Sequence, residues 1–508
     1  MRDKYIELIR EYLRQRPDYE FFLEDIKRNI LAIGATEEEF EEALRQTAQI
    51  AGVNLSEQNK SKFDFKSQLS GLTQFSMHKT NVFLHWGGGI LNAKKKYVAA
   101  FAVIVIALII IPGLFTNTGK PKNANVAMLA PEIKISTAAK NPIQVVYANS
   151  KPVDLSKFFS VKSNNIPLTI TGRPKKEVMG FFPYWSLPEE DKINLQALTS
   201  ISLFGLDTDQ NGNITTINSD GTANSGWSMW EDPNLDKLIR RAKNQGLKVN
   251  LTIKSFDNSV IENIANSDNA QKALIANALY LINSKDLDGI NIDFEYTGSS
   301  SDSIREGFTR FITNLNAELK RQLPGANLTI DTYLVSGSEK GLFNIPVLAQ
   351  NCDAFVVMGY DMHTPTGSPG PVSAMGGDTN IIGYVQNYLE QVDASKVILA
   401  VPYYGYDWPQ DVASPSADMV KILPYAEIAD ESKNLQLSWD DTSQTPYFTY
   451  TDDGGAKRVV HFDNVRSLGI KYDFINKKNL RGVGIWALGY DGEDQELQKL
   501  LIDKFINQ

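Results

Sequence analysis

The stretch Leu287–Tyr296 reads LDGINIDFEY, with Ile290, Ile292 and Phe294 alternating with Asn291, Asp293 and Glu295. A period of two is that of a β-strand, so the amide and both carboxylates share one face. An ionised Asp293 two positions from Glu295 raises the pKa of the latter, which suits a general acid working near neutral pH. Asn291 is neutral, so Asp293 has one charged neighbour fewer and can accept a hydrogen bond from the amide. Aromatic and polar residues gather at the ends of other apolar runs. These are Phe182, Tyr184 and Trp185 in GFFPYWS, Met358, Tyr360 and Asp361 in VVMGYDMH, Tyr403, Tyr404, Tyr406 and Trp408 after VILAVP, and Trp486 in GVGIWALGYDG. A single ring at a strand end is packing. Rings from four strand ends around a carboxylate pair suit the flat apolar faces and many hydroxyls of a sugar, with an acid for the leaving oxygen.

The elements that must position these groups begin near residue 176. Short apolar runs at 177–182, 201–206, 248–253, 289–294, 328–333, 354–359, 397–402 and 482–488 alternate with helical stretches. One helix runs from Pro233 to Gln245 and stops at Gly246. Another starts near Ser303, with Glu306 three residues on, and carries Phe308, Phe311, Leu315 and Leu319 on one face. Eight strands alternating with helices predict an α/β fold, a (β/α)8 TIM barrel, with a doubly wound open sheet as the rival. No GxGxxG follows the first strand, which argues against a dinucleotide site. In a barrel the chemistry collects at the C-terminal strand ends, so Asn291, Asp293 and Glu295 point inward with Glu295 nearest the mouth. The segment at about 405–480 is long for a barrel loop and reads as a small α+β insertion before the last strand.

The motif DGINIDFE resembles the DGxDxDxE signature of glycoside hydrolase family 18, the chitinase-like family. Met358–Gly359–Tyr360–Asp361 matches the MxYD of its sixth strand, and Trp486 matches the tryptophan of its eighth. The resemblance covers about 176–508, and the tail YFTYTDDGGAKRVVHFDN with GVGIWALGYDG is most similar to the bacterial branch of spore-cortex and cell-wall lytic glycosidases. It implies a substrate-assisted retaining mechanism on N-acetylated amino sugars. In that scheme Glu295 is the general acid, Asp293 holds the acetamido N–H, Tyr360 bonds the acetamido oxygen, Asp361 places the sugar and Trp486 floors the subsite. Phe182, Tyr184, Trp185, Tyr403, Tyr404, Met358 and Asn291 are the further substrate-binding candidates. Two positions depart from the pattern. Its first Asp is Asn291 here, and its third-strand SxGG survives only as IKSFDN, read with Ser255 in place.

The rest of the chain bounds where such an activity acts. The 508 residues are 42% hydrophobic and 22% charged, with 51 basic against 60 acidic residues and net charge −9, so nothing points to nucleic acid. Cys352 is the single cysteine, which excludes an internal disulfide, and no metal-ligand spacing or cofactor motif is present. Residues 97–115, YVAAFAVIVIALIIIPGLF, carry no charge and read as one membrane-spanning helix. Lys94–Lys96 on its N-terminal side put the N-terminus in the cytoplasm and the barrel outside the cell membrane. Residues 1–50 read as a small helical module suited to a cytoplasmic partner. Residues 51–96 read as a linker and 116–175 as an extracytoplasmic stalk. The expected function is therefore a membrane-anchored glycosidase on N-acetylglucosamine-containing polysaccharide, with peptidoglycan favoured over chitin. The alternative is a catalytically inactive, glycan-binding barrel at the envelope.

Overall fold

The computed structural model describes residues 153–159, 168–337, 341–412 and 415–507. The expected helical module, linker and membrane span lie outside them. Among the described residues no helix is long and apolar enough to cross a membrane.

Eight parallel strands close into a barrel: β1 (Glu177–Pro183), β2 (Ser200–Asp207), β3 (Lys248–Ser255), β4 (Gly289–Phe294), β5 (Asn327–Tyr333), β6 (Ala354–Met358), β7 (Val397–Pro402) and, after an inserted lobe, β13 (Gly482–Trp486). The open-sheet rival is excluded, because β13 pairs with both β7 and β1. Alternation along the strands divides the side chains into two layers. Val178, Phe182, Ile290, Ile292 and Phe294 face the surrounding helices. Met179, Phe181, Phe204, Ala354, Val356, Ile398 and Ala400 form a separate cluster. The barrel interior is lopsided. The strands β1, β6 and β7 fill it with apolar groups, while β2 to β5 contribute Ser202, Thr252, Asn291 and Thr329, joined by hydrogen bonds such as Ser202–Thr252 at 2.7 Å.

The helices form where their ends are chemically marked. Helix Pro233–Asn244 has Asp232 as N-cap, accepting from Asn234 N–H, and Pro233 in its first turn. Its exit needs a left-handed residue, supplied by Gly246 at φ +80°, and Leu247 N–H closes back on Ala242 O at 3.0 Å. Helix Asp302–Gln322 is capped by Ser301, two residues before the expected start, because the Ser301 hydroxyl accepts from Ile304 N–H. Phe308, Phe311, Leu315 and Leu319 on its inner face are at most 1% exposed. Each such side chain contributes about 1.5–3 kcal/mol on burial.

The lobe between β7 and β13 is a five-stranded antiparallel sheet in the order β10-β11-β12-β8-β9, from β8 (Tyr404–Pro409), β9 (Lys421–Pro424), β10 (Ser438–Asp440), β11 (Thr445–Thr451) and β12 (Lys457–His461), with a short helix Tyr425–Glu431. Leu423, Ile428, Phe448, Val460 and Phe462 are its core. After the lobe, helix Val465–Lys477 returns the chain to β13. Part of the segment read as a stalk instead packs on this domain: Leu155, Phe158 and Phe159 are buried in its core. Three large apolar residues in five positions suit burial better than an exposed tether.

Candidate active site

Asn291 is fully buried on β4, opposite Thr252 on β3 and Thr329 on β5. The Thr329 hydroxyl donates to its Oδ1 at 2.6 Å, and its Nδ2 donates to Asp331 Oδ2 at 2.8 Å, with Thr252 Oγ1 at 3.4 Å. The amide therefore serves Asp331 on β5 and not, as expected from the sequence, Asp293. In the register Asn291 lies opposite Thr329, so the amide reaches Asp331 diagonally across the β4–β5 pair.

Asp293 is 3% exposed, and its Oδ1 has no hydrogen-bond partner. Burial pushes its carboxyl up to about 7, against the pull of the Lys254 ammonium. The expected gain in ionisation from a neutral Asn291 is thus outweighed by desolvation. Glu295 follows β4 at the mouth, its N–H donating to Ser255 O at 3.0 Å. Its carboxyl is held well above the usual range, first by burial and then by the negative charges of Asp293 and Asp361. Tyr333 and Lys254 act in the opposite direction. Burial likewise keeps the Tyr360 hydroxyl protonated, reinforced by the surrounding carboxylates, so it can only donate where a carbonyl oxygen meets it.

Asp361 sits at φ +57°, a left-handed turn that Asp tolerates better than most residues. Its Oδ1 accepts from Tyr404 and, at 2.7 Å, from Tyr406, both on β8. Burial raises its carboxyl while these two hydroxyls pull it down. The lobe thus holds Asp361 from behind as well as walling the groove.

Asp293, Glu295, Met358, Tyr360, Asp361, Tyr404 and Trp486 line one groove of about 880 Å³, open mouth included. Trp486 meets Phe204 edge-on at 4.6 Å and Phe181 at 5.8 Å, and Trp185 braces it from outside the groove at 6.2 Å. Five candidates lie outside the groove, the fully buried Asn291 among them. Phe182 points to the helices, since strand parity brings Phe181 to the groove instead. Tyr403 bonds Tyr472 at 3.2 Å in the outer layer. Tyr184 packs edge-on against Trp185 at 4.8 Å, and neither lines the groove. Of the other two aromatics after β7, Tyr406 anchors Asp361 and Trp408 is fully buried.

Sequence reading missed Asp331 and Tyr333, although Thr329, Asp331 and Tyr333 alternate along β5 as Asn291 and Asp293 do along β4. It also missed Phe204, Phe256 and Lys254. On β3 the inward residues are Thr252 and Lys254, while Ser255 pairs with outward Phe294. Ser255 therefore faces away from the groove, and Lys254 stands beside Asp293 on the inner face. The Lys254 ammonium pairs with Asp207 on β2 and lies 4.9 Å from the Phe256 ring and 5.8 Å from that of Phe204.

The family model Glycosyl hydrolases family 18 matches residues 177–491. Among curated relatives, the chain is 28% identical to YdhD of Bacillus subtilis (strain 168), named as a sporulation-specific glycosylase, over 57% of this chain and 66% of that protein. It is 28% identical to di-N-acetylchitobiase of Rattus norvegicus (42% and 63% of the two chains) and 27% identical to the cortical fragment-lytic enzyme of Bacillus subtilis (50% and 58%). The chain thus spans less than two thirds of the length of each of these relatives. Among solved structures, the fold is that of the Bacillus cereus spore cortex-lytic enzyme SleL (TM-score 0.54, 22% identity, 66% of this chain and 75% of that one). It is also that of a Cycas revoluta chitinase in complex with (GlcNAc)3 (TM-score 0.55, 19% identity, 65% and 99%). The match from β1 to beyond β13, with the acid motif at the end of β4 in a closed barrel, establishes that this chain belongs to glycosyl hydrolases family 18.

Proposed function

We propose that the chain is a membrane-anchored glycosidase that hydrolyses β-linked, N-acetylglucosamine-containing polysaccharide, peptidoglycan in preference to chitin, by a substrate-assisted retaining mechanism. The observation that carries this reading is the Glu295 carboxyl, kept protonated at the mouth of an aromatic-floored groove. Glu295 gives its proton to the glycosidic oxygen as the bond to the anomeric carbon breaks. The acetamido carbonyl oxygen of the same sugar bonds to that carbon, forming an oxazolinium ion. Ionised Asp293 holds the acetamido N–H and balances the positive charge, and Tyr360 donates to the acetamido oxygen. Water then attacks the anomeric carbon, the ring opens back to the acetamide, and Glu295 recovers its proton. Asp361 orients the sugar, and Trp486 stacks on its apolar face.

The substrate choice is supported by the cortical fragment-lytic relatives and by the expected anchor at 97–115, which holds an extracytoplasmic enzyme against its own cell wall. The test is to incubate wild type and Glu295→Gln with purified peptidoglycan and with chitin oligomers and to weigh the products by mass spectrometry. Wild type is expected to release fragments from peptidoglycan, with the rate falling at least about a hundredfold in the variant. Equal release, or none, by both proteins contradicts the enzyme reading, and release from chitin alone overturns the substrate choice.

A further inference from the structure

Asp331 belongs to none of the motifs that identified the site, yet it is 4% exposed in the middle of the carboxyl cluster and lines the groove. Its Oδ2 takes the Asn291 amide at 2.8 Å, while its Oδ1, like Asp293 Oδ1, is buried without a hydrogen-bond partner. The register carries Ile292 opposite Ile330, so one step on, Asp293 and Asp331 are cross-strand neighbours on the inner face. A family pattern that has an acid at position 291 puts two carboxyls in sequence on β4. This chain has an amide there and an acid on β5, joined to each other by a hydrogen bond. This chain thus carries its carboxyls on two neighbouring strands, where the pattern places them on one.

We propose that Asp331 is a positioning residue that replaces the acid absent at position 291, keeping a proton beside Asp293 so that Asp293 is the member of the pair that ionises. The proposal rests on the glycosidase reading for its catalytic consequence but not for its proton chemistry. Two carboxyls in one desolvated site do not both ionise, and the pair titrates in two steps. Burial comes first in holding the Asp331 proton and the charge of Asp293 second, whereas the Asn291 amide acts the other way. Around Asp293 the other charged and titratable groups are Lys254 on β3, Glu295 just after its own strand, and Tyr360 and Asp361 after β6. Of these only Lys254 favours the ionised form. The Asn291 amide holds the Asp331 carboxyl by one oxygen, so amide and acid act as one unit.

The test uses the full chain in three forms: wild type, Asp331→Asn, and the exchange variant Asn291→Asp with Asp331→Asn. With aspartate labelled at the carboxyl carbon, the Asp293 resonance is assigned by its loss in Asp293→Asn and followed against pH. Wild type and the exchange variant are expected to show, besides the step shared with Glu295, a further step that disappears in Asp331→Asn. In parallel, kcat on the glycan should fall about tenfold in Asp331→Asn with little change in KM, and return to within about threefold of wild type in the exchange variant, a non-additivity that marks coupled residues. A wild-type curve with the same steps as Asp331→Asn, or an exchange variant no more active than Asp331→Asn, overturns the proposal. If wild type releases nothing from either glycan, the glycosidase reading falls while the titration still decides the role of Asp331.

Discussion

Asp407 on β8 of the lobe and Asp293 on β4 of the barrel are both withdrawn from water, at 0% and 3% exposure. Asp407 is surrounded by donors: Arg458 Nε at 2.9 Å, the Tyr450 hydroxyl at 2.8 Å and, further out, Lys421 at 3.8 Å. Arg458 also donates to the Asp407 backbone oxygen at 2.8 Å, tying β12 to β8. Asp293 has an orphaned oxygen, carboxyls on either side and only the Lys254 ammonium to offset them. One buried charge is neutralised where it holds a sheet together. The other is left short of partners, where its proton affinity has to be high and a ligand can complete the set.

That contrast can be broken first at Asp407. Asp407→Ala leaves the Arg458 guanidinium buried without its carboxylate and is expected to cost about 3–5 kcal/mol. Urea unfolding would measure it, and a loss below about 1 kcal/mol would mean that the lobe does not depend on the pair. Asp293→Asn should do the reverse. The folded pKa of Asp293, about 7, lies above its unfolded value, so wild type loses stability as pH rises from roughly 4 to 7. The variant avoids that loss and should be more stable than wild type by about 4 kcal/mol at pH 8, the gain shrinking toward pH 4, while hydrolysis falls. Equal thermal midpoints at pH 5 and pH 8 would deny that the barrel stores this cost. A smaller effect is expected from Lys254→Met. Without the ammonium both Asp293 and Glu295 hold their protons more tightly, so both limbs of the pH–rate profile should move upward by about one unit. A profile lowered in height but unmoved along the pH axis would make Lys254 a packing residue.

The sequence made the barrel legible because period-two apolar runs and marked helix ends report backbone geometry directly. It also gave Glu295, Asp293, Tyr360, Asp361 and Trp486 their place at one mouth, since each sits in a motif at a strand end. What it hid was parity and partnership. Phe181 and Phe182 are both apolar, and no local pattern tells which faces the groove. Tyr403 and Tyr404 likewise differ by one position and point to opposite layers. Asp331 and Lys254 were missed because their importance comes from strand pairing, β5 against β4 and β3 against β4, which no single run of residues records.

The central claim is that burial tunes the barrel acids for work near neutral pH, and the pH dependence of kcat/KM on the cleaved glycan tests it most directly, because it reports ionisation in the free enzyme. The account predicts an acid limb near pH 7 from Asp293 and an alkaline limb above it from Glu295. Limbs at the values of ordinary exposed carboxylates, near pH 4, would contradict it.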